Sequence, residues 1–240
     1  MKRGIAIGTA LSLILFTPGY AGAHRNNTDD LPPNTGGRSG GSRGCSTEVA
    51  VAGDLPALIL LAPTQSSSQT ISTRPTFAWF VRDGGAWQME FRLYEQDPTN
   101  LETKLVAEIV DEDFKSAPGI TTLTLSEAMP QLVVGHQYLW QVELVCDRNR
   151  PSGNPFAEAE IEAIAPSASL NAQLAQAKNE LDRVALYEEK NLGYDALATV
   201  LNATANSPLE DWKTTLLDRI ALGEAESEQF QQSAIHHLQR

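Results

Sequence analysis

Cys45 and Cys146 are the residues of this 240-residue chain with the plainest covalent chemistry. Neither lies in a Cys-x-x-Cys motif, so redox catalysis and zinc binding have little support. In a cytosolic chain they would be two unrelated thiols. In an exported one, an even count points to a structural disulfide. That bond would close a loop of about 100 residues, worth up to about 4–5 kcal/mol in the chain-entropy model.

Other chemistry-bearing patterns are weaker. Gly37-Arg38-Ser39-Gly40-Gly41 spells G-x-S-x-G, but a nucleophile elbow needs a strand before it and a helix after it. This match sits in a glycine-rich stretch with neither. Histidine is scarce: His24, His136, His236 and His237. A nucleophile–histidine arrangement would have to use His136, and no partner follows from spacing. His236 and His237 are adjacent and do not share a helix face. Asp111-Glu112-Asp113 lacks the alternating ligands and glycine of a calcium loop; a solvated turn is its simpler account. Glu188-Glu189 and Glu224, Glu226 and Glu228 read as exposed helix faces. No catalytic, cofactor-binding or metal-binding residue is nominated, and the chain is read as non-enzymatic, without cofactor.

The elements that carry these residues begin with a targeting segment. Met1-Lys2-Arg3 is a short positive region and residues 5–16 are apolar. Thr17-Pro18-Gly19 breaks the run, and Ala21-Gly22-Ala23 fits the small-x-small rule. The expectation is a signal peptide over residues 1–23, cut between Ala23 and His24. The apolar run is too short to span a membrane comfortably. No twin arginine and no cysteine at the cut is present, which argues against Tat export and lipid attachment there. Residues 24–44, rich in Asn, Asp, Pro, Gly, Ser and Arg, read as a disordered linker.

Residues 45–165 read as β. Short apolar runs at 57–61, 76–81, 88–94, 105–110, 120–125, 138–146 and 156–164 are separated by turn chemistry. Seven such strands point to an immunoglobulin- or fibronectin-like sandwich. Alternation puts Tyr138, Trp140, Val142 and Leu144 on one face, and Trp79 and Trp140 at the centre of the core. After Pro166 the period becomes helical: Leu170, Leu174, Ala177, Leu181 and Val184 form one stripe. A second helix is expected from Tyr194 to Ala205, and a third from Leu209 to near Gly223. Residues 224–240 read as a further, fraying helix. The fold class is therefore all-β plus α, with a helical module over residues 166–240. Ala185, Tyr187, Gly193-Tyr194-Asp195-Ala196-Leu197 and Pro208 look like one piece of a tetratricopeptide repeat, too little for a solenoid, and the expectation is a single helical hairpin packing on itself or on the sandwich.

Composition bounds the partners. Hydrophobic residues make up 42% of the chain, enough for a core, and the net charge is −12, or −14 once Lys2 and Arg3 are removed. Nucleic acid and anionic membrane surfaces should be repelled. The mature form contains no segment long and apolar enough to span a membrane.

Four stretches resemble a known family. They are Ser72-Thr73-Arg74-Pro75-Thr76-Phe77-Ala78-Trp79-Phe80, Ala117-Pro118-Gly119-Ile120, Tyr138-Leu139-Trp140 through Leu144-Val145-Cys146-Asp147, and Leu186-Tyr187 through Gly193-Tyr194-Asp195-Ala196-Leu197-Ala198. Pro151-Ser152-Gly153-Asn154 with Phe156 adds to them. The chain is similar, from about Cys45 to Leu222, to the largely cyanobacterial exported family catalogued as domain of unknown function 928. That resemblance implies an exported bacterial protein and brings no catalytic residues with it. Two readings of function follow. One is a non-catalytic binding module of the cell envelope, periplasmic or extracellular, whose partner is a protein or envelope component. The other is a structural or assembly accessory of an outer-membrane or secretion system; an exported hydrolase ranks below both.

Overall fold

Thr76–Val81 (Thr-Phe-Ala-Trp-Phe-Val) has no polar face, and all its residues are buried. A strand of that pattern must be covered on both sides. The computed structural model describes residues 45, 58–63, 68–82, 85–97, 102–149, 151–204, 207–221 and 223–240. Among these, nine strands and five helices form a mixed α/β architecture. In chain order the strands are β1 Leu58–Leu60, β2 Gln69–Thr70, β3 Thr76–Val81, β4 Gln88–Gln96, β5 Thr103–Ile109, β6 Gly119–Thr124, β7 Gln137–Val145, β8 Phe156–Ala163 and β9 Ile235–Gln239. The helices are α1 Ala168–Gln176, α2 Glu180–Glu189, α3 Gly193–Leu201, α4 Glu210–Ile220 and α5 Glu224–Gln232.

A four-stranded sheet runs β1-β3-β6-β9 and a five-stranded sheet runs β2-β8-β7-β4-β5. Most neighbours are antiparallel; β9 lies parallel to β6, and β2 parallel to β8. The inner faces share one core. Phe77 and Trp79 of β3 meet Phe91 of β4 and Trp140 of β7 there. The ring centroids of Phe77 lie 5.1 Å from those of both Phe91 and Trp140. Burial in β7 and β8 alternates strictly, as a sheet with one free face requires.

The other side of β3 faces helices. Ile59 and Leu61, Ala78 and Phe80, and Ile120 join Val184, Leu197, Val200, Leu201, Leu217 and Phe230 in a second cluster. The rings of Phe80 and Phe230 meet at a tilt of 54°, with centroids 5.1 Å apart. The four-stranded sheet is thus the middle layer, with helices on one face and the five-stranded sheet on the other. The two-faced apolar run of β3 is the sequence signature of that position.

Two helical expectations are corrected. The single stripe from Leu170 to Val184 is broken into α1 and α2, because the Asn179 side chain accepts from Asp182 N and starts a new helix. Residues 235–239, expected as helix, form β9. Ile235 and Leu238 suit either period, and the open edge of β6 selects the strand.

Gly193-Tyr194-Asp195, read from sequence as a repeat fragment, anchors α3 to the β layers. Tyr194 Oη accepts from Trp140 Nε1 at 2.7 Å and donates to the Glu160 carbonyl at 2.8 Å. Asp195 Oδ2 accepts from Ile71 N at 3.0 Å.

Candidate docking face

Among the described residues, the five-stranded sheet has one face in the core and the other turned outward. Its registers build the outward face row by row. Glu158, Gln141, Arg92 and Glu108 lie in one line across β8, β7, β4 and β5. Beside it, Glu160, Leu139, Tyr94 and Leu105 form a second line. On the far side of the first line, Phe156, Glu143 and Glu90 form a third.

Charge on this face is ordered. Arg92 is its hub: Nε donates to Glu108 at 2.9 Å, and the guanidinium also pairs with Glu90 and with Glu143. Partial burial works against its charge, but the hydrogen bonds and charges of Glu108 and Glu90 outweigh this and raise its pKa further. Gln141 Nε2 donates to Glu158 at 3.1 Å, and Gln69 Nε2 to Glu162 at 2.8 Å. Asn154 Nδ2 reaches Glu143 at 2.7 Å. The outward glutamates are Glu90, Glu108, Glu143, Glu158, Glu160 and Glu162, against the single arginine of the rows. The potential over the face is therefore negative.

The second line, beside the Arg92 row, is apolar apart from Glu160. Tyr94, Leu139 and Leu105 belong to neither core cluster. Leu105 is 46% exposed and Phe156 38%.

Several sequence-nominated residues are placed elsewhere. Cys45 and Cys146 are joined in a disulfide, with Cα atoms 5.0 Å apart and a sequence separation of 101. His136 Nδ1 bonds Glu95 at the end of the sheet. His236 and His237 lie on β9, bonded to the Pro118 carbonyl at 3.1 Å and to Thr122 Oγ1 at 2.9 Å. Asp111 caps a turn by accepting from Asp113 N. Ala23, His24 and the Gly37–Gly41 motif lie outside the described residues. Among the described residues, no group of His, Cys, Asp and Glu is arranged to hold a metal, and no helix is long and apolar enough to cross a membrane.

Sequence reasoning missed this face, although a signal was present. Phe156-Ala157-Glu158-Ala159-Glu160-Ile161-Glu162-Ala163 alternates with period two, which puts three glutamates on one side of a strand. The Arg92 hub had no such signal, because it depends on which strands are neighbours.

The stretches quoted above for the family resemblance have structural duties. Arg74 donates to the carbonyls of Ser126 and, at 3.3 Å, Glu127. Asn154 Oδ1 accepts from Cys146 N at 3.0 Å and Asp147 N at 3.2 Å, ordering the turn beside the disulfide. No curated protein and no solved structure matches the chain. Residues 38–230 match the family described as Domain of Unknown Function (DUF928), and the chain belongs to that family.

Proposed function

We propose that this chain is a non-catalytic binding protein of the bacterial cell envelope, exported by its N-terminal segment, that docks a cationic protein on the outward face of the five-stranded sheet. The carrying observation is that face: six outward glutamates and one arginine on the same sheet face as the apolar residues Leu139, Tyr94 and Leu105. Charge complementarity selects a basic partner, and the apolar row supplies the desolvated centre that affinity needs. Export rests on the residue pattern of positions 1–23, and a cyanobacterial source rests on the family resemblance.

An immunoglobulin-like ancestry for the β layers belongs to the same reading. It is supported by the antiparallel order β1-β3-β6 facing β8-β7-β4-β5. It is supported too by Tyr138, whose hydroxyl accepts from Val133 N at 2.8 Å just before β7, in the manner of a tyrosine corner.

Export is tested by N-terminal mass spectrometry of protein from its native cells. The expected start is His24, and a start at Met1 overturns it. Docking is tested with a photo-crosslinker at position 160 and, as control, at position 213 on the helical layer. A basic partner captured only from 160 is purified and bound to the wild-type chain and to Glu158→Lys/Glu160→Lys/Glu162→Lys. The charge reversal should weaken binding by more than about tenfold, a loss of about 1.4 kcal/mol or more, and added salt should weaken the wild type. Unchanged affinity, or capture only from position 213, sinks the reading.

A further inference from the structure

A cavity of about 250 Å³ lies between the ends of α2 and α4 and the first turns of α3, bordered by Pro63 after β1. Its walls are apolar. Leu197 and Leu216 belong to the helix-side cluster, and Ile220 packs against it. Gly193 lines the cavity too, with no side chain to fill the space.

An ion pair completes the lining. Glu188 follows the fully buried Val184 by one turn of α2, which turns its side chain toward the packed side of the helix. The sequence reads Glu188 as part of an exposed helix face; its side chain is only 15% exposed. Arg219 Nη1 donates to Glu188 Oε2 from the solvent side, where the arginine side chain is 56% exposed. Among the described residues, Arg219 is the one side chain paired with this carboxylate. A carboxylate accepts several hydrogen bonds, so Oε1 has capacity for a second donor.

Size and charge select the occupant. A cavity of about 150 Å³ with aliphatic and aromatic walls holds one benzene, so this one takes an apolar body of about ten non-hydrogen atoms. A carboxylate largely withdrawn from water at an apolar wall attracts a cationic head and repels an anionic one. The net charge of −12 also draws cations toward the surface. We propose that this cavity binds a small organic amine, whose apolar body fills the space between α2, α3 and α4 and whose ammonium group donates to Glu188 Oε1. The site lies in the helical layer and is independent of the docking face.

The test titrates the full, disulfide-bonded chain by ligand-detected NMR with three probes of one shape. These are phenethylamine, its neutral counterpart 2-phenylethanol and its anionic counterpart 3-phenylpropionate. Phenethylamine should bind at least about tenfold tighter than either of the others, and added salt should reduce that preference. Glu188→Gln should remove the preference and leave binding of the alcohol unchanged. Ile220→Trp, which fills the cavity from its half-buried edge, should abolish binding of all three. Should Ile220→Trp not fold, the Glu188→Gln comparison decides alone. No saturable binding of the amine below about 10 mM overturns the proposal. So does tighter binding of the carboxylate, an amine preference that survives Glu188→Gln, or undiminished amine binding by a folded Ile220→Trp chain.

Discussion

Asp195 shows what one residue contributes and costs. Burial pushes its carboxyl up to about 6, against hydrogen bonds from Ile71 N and the Thr70 side chain that hold it down. Its folded value thus lies above that of the unfolded chain, so the ionised group opposes folding. Stability from this residue is highest below about pH 4 and declines as pH rises to about 6, by up to about 3 kcal/mol. The position near the α3 N-terminus offsets a fraction of this, about 0.3–1 kcal/mol. Asp195→Asn keeps an acceptor for Ile71 N and removes the charge. The variant should match the wild type in urea midpoint near pH 4 and exceed it near pH 7.5. A lower midpoint at pH 7.5 would show that the charge itself is stabilising. The sequence showed a helix start at Tyr194, and the partners of Tyr194 and Asp195, Trp140 and Glu160 on strands and Ile71 just after β2, were invisible because they are distant in sequence.

At the scale of elements, legibility followed burial pattern. Strands β3, β4, β7 and β8 were readable because apolar runs or strict alternation reflect one or two covered faces. α3 and α4 were readable from their helical spacing. β9 was not, because five residues with two apolar anchors carry no decisive period, and the open edge of β6 decides. Gly119 is where that edge is made accessible. Its φ is +108°, and a Cβ would meet the Ala234 oxygen at 2.6 Å. Gly119→Ala should therefore loosen β9 at its first residue. Hydrogen exchange should speed up at residues 235–239 and stay slow in β4 and β7. Unchanged protection of β9 would mean that the strand does not depend on the glycine notch.

For the whole molecule, the Cys45–Cys146 bond ties a residue far upstream of β1 to the end of β7. A loop of that length places its main effect on the unfolded chain. Cys45→Ser/Cys146→Ser should lose up to about 4–5 kcal/mol of stability, read as a lower urea midpoint. An unchanged midpoint would show that the closed loop confers no net stability. The layering has a consequence of the same scale. A chain ending at residue 165 lacks the helices and β9, and it uncovers Ile59, Ala78, Phe80 and Ile120 together. It should unfold without cooperativity and bind a hydrophobic dye; a sharp transition would show that the β layers stand alone.

The strand periods and the starts of α1 and α3 followed from residue types and local spacing, because those depend on neighbours within a few positions. The order of the sheets, the burial of β3 between two layers, the Arg92 hub and the seating of β9 did not. They depend on which distant segments lie side by side. Cys45 and Cys146 illustrate both sides: their number and the expected export suggested a bond, and the tertiary structure brought their Cα atoms to 5.0 Å.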